Sequence, residues 1–283
     1  MVTKPSIFVL LPASLTVDAS NLRQKTEKVG IVGRVLAIFR VEKVCIYNDD
    51  DPEVQNQEEE SNLIVKLLQY METPQYLRKL IFPRARELRY AGLLPPLRTP
   101  HHPLRDERTK IGDYREGVVV ESSDRGSVLE LGLRERGVMD EKFEVGKRLT
   151  VRLGKRLPGA YRRVFPVERS EIGEYWGFEV LRAESLVEGL EELRAEYRVG
   201  TSRYGQNLYG ALELIRSSNP DSVAIALGGP NQGLHEICER QGADPSEVFN
   251  VIVNAIPDQG VETVRTEEAL LATLALLNAL LGG

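Results

Sequence analysis

Ser222-Val-Ala-Ile-Ala-Leu-Gly-Gly-Pro-Asn-Gln-Gly-Leu-His-Glu-Ile-Cys-Glu-Arg240 reads as a buried strand over 222–227, a glycine loop, and a helix over 234–240. A buried strand that runs through a short loop straight into a helix belongs to an α/β sheet. Adjacent glycines, Gly228 and Gly229, permit close backbone approach to a ligand and leave N–H groups open at a helix start. The spacing is not the dinucleotide fingerprint, and no Gly-Lys-Ser/Thr follows, so a phosphate loop of that kind is excluded. A tight strand-to-helix turn without any ligand accounts for this segment, taken alone, equally well.

Working outward, the same rhythm holds at both ends of the chain. Residues 249–254 read as a further strand, followed by a polar loop and a final helix over 267–281 with Thr266 as its N-cap. Loops at the carboxyl ends of parallel strands are where open α/β sheets bind ligands. Glu267 and Glu268 in the first helical turn complement the helix macrodipole. On the other side, 176–181 reads as a strand, and 186–196 and 206–216 as helices. The N-terminal region gives a strand over 6–11, a helix over 22–40 and a strand over 44–47, a parallel β-α-β unit. A helix over 63–71 and a basic amphipathic segment reaching Tyr90 follow.

The middle has another character. Leu94-Pro-Pro-Leu-Arg-Thr-Pro-His-His-Pro103 should be extended. Short alternating strands over 117–121, 127–133, 147–153 and 161–167 suggest a small, OB-like barrel. The expected layout is an α/β domain over 1–92 and 169–283, interrupted by a barrel insert over 93–168.

The net charge of −5 taken alone argues against a polyanionic partner, but its distribution argues for one. Residues 78–110 hold nine Lys or Arg against three acids, and 147–169 hold eight against one, while an acidic run over 49–60 dominates the total. A single acid in 147–169 cannot satisfy the basic strands, which makes Arg152, Lys155, Arg156, Arg162 and Arg163, with Arg84 and Arg86 upstream, the candidate RNA contacts. Arginine outnumbers lysine 27 to 10, which suits bidentate phosphate contacts, although thermophilic adaptation gives a similar bias. Cys45 and Cys238 have no metal or redox spacing; they read as buried thiols of a reducing cytoplasm, with no metal expected. The apolar run 269–281 is too short to span a membrane and contains Thr273 and Asn278.

Several motifs together resemble the SPOUT superfamily of methyltransferases, in the archaeal and eukaryotic branch with an OB-like insert. They are Leu-Gly-Gly-Pro230, Val253-Asn-Ala-Ile-Pro-Asp-Gln-Gly-Val-Glu-Thr-Val-Arg-Thr-Glu-Glu-Ala269, Gly200-Thr-Ser202, Ile81-Phe-Pro-Arg-Ala-Arg-Glu-Leu-Arg-Tyr-Ala-Gly-Leu-Leu-Pro-Pro-Leu97 and Thr99-Pro-His-His102. The resemblance implies a C-terminal trefoil knot, a homodimer, and S-adenosylmethionine (SAM) bent in a pocket of knot loops. The implied cofactor residues are Thr201, Ser202, Gly228, Gly229, Pro230, Asn254, Ile256, Pro257, Gln259, Gly260, Thr263, Arg265, Thr266 and Glu267. It also implies methylation of RNA, in the nearest chemistry at uridine N3 of ribosomal RNA. That reaction requires loss of the N3 proton and stabilisation of charge on the uracil oxygens. Arg203 is the candidate stabiliser and Asp258 the candidate base, with a solvated loop role as the alternative for Asp258. His101 and His102 are expected to shape entry into the insert, and His235 to lie on a helix surface. The competing function is a non-catalytic RNA-binding protein on the same fold.

Overall fold

The structure is a computed structural model that describes residues 4–105 and 107–281. The apolar runs expected at both ends assemble into one six-stranded sheet. Its strands are β1 (Ser6–Pro12), β2 (Lys43–Tyr47), β8 (Glu179–Ala183), β9 (Tyr197–Asn207), β10 (Ser222–Ala226) and β11 (Val251–Asn254). Every pairing is parallel and the order is β11-β9-β10-β1-β2-β8. The central strands are buried throughout, with Val9, Leu10, Leu11, Val44, Ile46, Val223 and Ile225 fully inaccessible. Parallel strands covered on both faces require such continuous apolar sequence.

Helices α1 (Leu22–Ile38), α4 (Leu186–Leu193), α5 (Leu208–Ser218), α6 (Leu234–Arg240), the short α7 (Pro245–Val248) and α8 (Thr266–Leu281) belong to this unit. Capping residues fix where several begin. The side chains of Asn21, Ser185 and Asn207 accept hydrogen bonds from the amides of Gln24, Glu188 and Tyr209. Leu186, Leu190 and Leu193 of α4 pack with Leu10, Cys45 and Ile237 in one apolar cluster. Burying a leucine side chain in this way stabilises the fold by roughly 1.5–3 kcal/mol.

The sequence did not announce β9, where no strand was expected. Its first half is buried at Tyr197, Val199 and Gly200, but Thr201-Ser-Arg-Tyr-Gly205 is polar and partly exposed. Pairing with β11 holds it in place, with an irregularity that moves from Ile252–Gly200 to Val253–Gln206. A Cβ at Gly205 would overlap the Val253 backbone, so only glycine permits this close approach.

A second compact unit comprises Tyr70–Leu88 and Pro96–Gly177, while the first holds the chain through Gln69, Arg89–Pro95 and the part from Phe178 onward. The junction between them interrupts α2 (Gln57–Glu72) near its end, and α3 (Gln75–Ile81) falls in the second unit. Its strands are β3 (Tyr114–Ser123), β4 (Gly126–Glu130), β5 (Arg136–Met139), β6 (Arg148–Leu157) and β7 (Tyr161–Pro166). They close into a barrel in the order β3-β4-β5-β7-β6 around Val119, Leu129, Leu131, Met139, Val151, Leu153 and Val164. β5 is the strand the sequence pattern missed: Arg-Gly-Val-Met is too short and too polar at its start to show alternation.

Beside the barrel core lies a buried polar hub. Arg148 donates to Glu72 at 2.5 Å and to Glu116 at 2.5 Å, and Glu116 also accepts from Trp176 Nε1 at 2.7 Å and Thr150 Oγ1 at 2.5 Å. Burial alone would raise the Glu72 carboxyl, but Arg148, His101 and Arg169 outweigh it and hold that acid well below the usual range. His101 and His102 place their Nε2 atoms 2.9 and 2.7 Å from the carbonyl of Glu72, at the end of α2. They therefore hold this unit to the end of α2, and they do so from a turn, with the His102 amide donating to the Thr99 carbonyl at 2.9 Å, not from the extended segment expected over 94–103.

Candidate active site

The first unit gathers its chemistry at the carboxyl ends of β9, β10 and β11. A cavity of about 230 Å³ opens there, lined by the second half of β9, the glycine loop after β10, the loop after β11, and the inner side of α8. Thr201, Ser202, Gly228, Gly229, Pro230, Asn254, Ile256, Gln259, Thr263 and Thr266 all line it. Residues far apart in sequence thus meet in one place. Pro257, Gly260 and Arg265 are exposed and lie outside the lining, as does Glu267.

Glu267 has a different task. Its carboxylate pairs with buried Lys28 of α1 at 3.0 Å, and Lys28 also holds Asp18 at 2.7 Å. This pairing pins the start of α8 to α1. The next contact carries that anchorage to the cavity wall, because Thr266 Oγ1 donates to the Gly228 carbonyl at 3.1 Å. Thr201 Oγ1 similarly donates to the Ala226 carbonyl at 3.1 Å, and the Tyr47 hydroxyl to that of Leu227 at 2.7 Å.

The two glycines are dictated by what lies behind them. A Cβ on Gly228 would come within 2.9 Å of the Gln232 carbonyl, and one on Gly229 would overlap Ser14 Oγ. Ser14 cannot easily move aside, since its hydroxyl donates to buried Asp49 at 2.5 Å and its amide donates to the same carboxylate at 3.1 Å. Burial raises the Asp49 carboxyl above its ordinary value, while the two Ser14 bonds draw it partly back.

The loop after β11 is braced by its own side chains. Asn254 Nδ2 donates to the Arg203 carbonyl at 2.8 Å, its Oδ1 accepts from the Ile256 amide at 2.9 Å, and Gln259 Nε2 donates to the Val261 and Glu262 carbonyls. Arg203 stands on the rim, with its guanidinium 4.9 Å from the Tyr204 ring centroid and bonded to the Glu262 carbonyl at 3.3 Å. Asp258 is exposed at a left-handed position (φ +54°) and is not part of the lining.

Two buried oxygens in the lining have no partner among the described residues: Gln232 Oε1 and Thr273 Oγ1. A buried acceptor without a donor is costly, and such groups mark places where a ligand or water completes the bonding. Sequence reasoning singled out neither for this role, nor Tyr204, His235 and Glu236, which also line the cavity. Thr273 did carry a signal, as one of two polar residues in the apolar run 269–281.

The candidate RNA-contacting residues divide in two. Arg84, Arg86, Arg152, Lys155 and Arg156 are exposed. Arg162 is buried and spends its guanidinium on the Gly154 carbonyl (3.1 Å) and Thr109 Oγ1. Arg163 pairs with Asp140, and Arg156 with Glu135 at 2.7 Å. The acids that the segment 147–169 lacks are thus supplied from elsewhere in the chain: Glu135 and Asp140 just before it, and Glu72 and Glu116 for Arg148. Arg152 and Lys155 have no acidic partner among the described residues.

Comparison with known proteins places these features in a family. Residues 6–277 match the family described as "Putative RNA methyltransferase". The chain is 32% identical to the human 28S rRNA (uridine-N(3))-methyltransferase over 295 residues, covering 96% of this chain and 77% of that protein. It is 34% identical over 296 residues to an uncharacterized protein of Halobacterium salinarum, covering 95% and 97% of the two chains. A "putative methyltransferase" of Legionella pneumophila, solved with bound SAM, covers 98% of this chain and 66% of its own at 10% identity and a TM-score of 0.43, too loose a likeness to bear on the argument.

Proposed function

This chain belongs to the RNA methyltransferase family that its residues 6–277 match, and we propose that its cavity holds S-adenosylmethionine for methylation of ribosomal RNA at uridine N3. The observation that carries the cofactor assignment is the pair of unpartnered buried oxygens, Gln232 Oε1 and Thr273 Oγ1, in a cavity walled by Gly228 and Gly229. They fit a ligand that brings hydrogen-bond donors, as the adenine amino, ribose hydroxyl and ammonium groups of SAM do. When bound, SAM supplies an electrophilic methyl group on a sulfonium centre.

The remaining work falls to side chains of this protein. Thr201 and Ser202 position one wall, and Thr266 fixes the opposite loop through the Gly228 carbonyl. Uridine N3 becomes nucleophilic as its proton leaves, and negative charge spreads to the flanking carbonyl oxygens. Arg203, on the rim, is placed to stabilise that charge by hydrogen bonding. Asp258 would need the loop after β11 to rearrange before it could take the proton. The relatives named as 28S rRNA uridine-N3 methyltransferases support the choice of nucleotide.

The same reading includes a trefoil knot in the C-terminal segment, a homodimer, and an OB-like role in RNA binding for the barrel unit. The test is to incubate the protein with SAM carrying a labelled methyl group and ribosomal RNA, then map the product by mass spectrometry of nucleosides. N3-methyluridine is expected. Label in another nucleoside would overturn the target, and no transfer despite SAM binding would favour a non-catalytic RNA-binding protein.

A further inference from the structure

The outer face of β6 and β7 carries large apolar side chains in the open. Phe165 is 42% exposed, Tyr161 38% and Leu157 41%. The antiparallel register sets Arg152 opposite Phe165 and Leu157 opposite Tyr161, and the irregularity between Leu153 and Arg156 leaves Lys155 exposed between them. Alternation in β7 leaves no freedom here. Arg162 and Val164 face inward and are buried, so Tyr161 and Phe165 must face out.

The Phe165 ring is held rather than loose. A Cβ at Gly154 would lie 3.1 Å from Phe165 Cε2, so the ring packs close over a backbone position without a side chain. The Arg152 guanidinium is 5.6 Å from the ring centroid. An aromatic ring, a second aromatic and a planar cation lie on adjacent strands; Arg163 between the two rings is paired with Asp140, whereas Arg152 and Lys155 have no acidic partner among the described residues. A purely apolar protein partner would gain nothing from those two cations, whereas phosphates would.

We propose that this face is a stacking platform for unpaired RNA, with bases on Phe165, Tyr161 and the Arg152 plane and phosphates against Lys155. The inference rests on the RNA methyltransferase reading and adds to it the strand class that the barrel recognises. In a duplex the faces of the bases are already covered by their neighbours, so only unpaired nucleotides can occupy such a platform.

Stacking and phosphate contact differ in salt dependence, and this separates them. Fluorescence anisotropy of the 283-residue chain with a labelled 12-nucleotide single strand and with its duplex, over a salt series, provides the test. The wild type is expected to bind the single strand more tightly. Phe165→Leu and Tyr161→Leu should each weaken that binding about tenfold with the salt slope unchanged, because a lost stack releases no counterion. Lys155→Gln should reduce the slope by about 0.7. Calorimetric SAM affinity and thermal melting serve as fold controls, and Arg152→Gln replaces any leucine variant that does not fold.

Leucine variants that bind the single strand as the wild type does, or equal wild-type affinity for duplex and single strand, would overturn the platform while leaving RNA binding intact. Variants that change only the sedimentation of the protein would instead assign the face to a protein contact and overturn it too. A wild type that binds no RNA at low salt would remove the RNA reading itself, and the platform with it.

Discussion

At the scale of single residues, Gly229 shows how packing behind a loop determines the residue that lines a cavity. Its missing Cβ leaves room for Ser14, which is fixed by two hydrogen bonds to Asp49. Gly229→Ala should therefore push the loop into the cavity and weaken SAM binding at least tenfold, measured by calorimetry. Ser14→Ala added to it should recover part of the loss, because the overlapping hydroxyl is gone. Failure of the double variant to recover any affinity would place the cause elsewhere.

His102 carries a second prediction at this scale. Burial, and then the neighbouring His101, push its pKa down to about 3. The unfolded chain binds the proton near pH 6.5, so between about 6.5 and 3 the unfolded state holds more protons and stability falls as pH drops. Above 6.5 the residue contributes no slope. Glu72 is held well below the ordinary carboxylate range by Arg148, and its own contribution is lost only below about pH 4.5. Urea melts between pH 6.5 and 4.5 should thus show a loss of at most about 1.4 kcal/mol per pH unit that flattens in His102→Gln. An equal slope in the variant would assign it to another group.

At the scale of elements, Arg162 illustrates how charge in a sequence can mislead about partners. Its periodicity puts it on the inner side of β7, where its guanidinium satisfies the Gly154 carbonyl. Arg162→Leu should destabilise the barrel by about 1–3 kcal/mol, since a buried carbonyl loses its donor. Arg152→Gln, by contrast, should leave the melting temperature nearly unchanged. A reversed order in a thermal melt would contradict the placement of both.

The same scale explains what the sequence could and could not reveal. Apolar runs such as 222–227 and 44–47 are legible because parallel strands buried on both faces admit little else. β9 was not legible, because its polar half is held by pairing with β11 and by Gly205, a tertiary cause that leaves no local pattern. The cavity loops were visible through their motifs, and most of the residues named from them do line it. Thr273 and Gln232 were not identified, since only folding reveals that their oxygens are buried without partners. Glu267 was legible as a helix-start acid, but its pairing with Lys28 is a long-range contact that spacing does not encode.

At the scale of the whole molecule, α8 buries Leu270, Leu274 and Leu277 within its own chain, while Leu271 stays exposed, as do Ile31 and Ile38 of α1 and Leu214 of α5. Exposed apolar side chains on several helices of one unit are consistent with association. Light scattering at micromolar concentration should give twice the 31.7 kDa of the chain, and Leu271→Glu should shift that value toward the monomer. A 31.7 kDa species for the wild type would remove the dimer from this account.

The central claim is that the cavity between the Gly228 loop, the loop after β11 and α8 is the methyl-donor site. Calorimetric titration of the purified protein with S-adenosylmethionine tests it most directly, run beside Gly229→Leu and Thr273→Val. The account predicts one site per chain, abolished in the first variant and weakened in the second, with thermal melts showing both variants folded. Undiminished affinity in a folded Gly229→Leu protein, or no binding by the wild type, would contradict it.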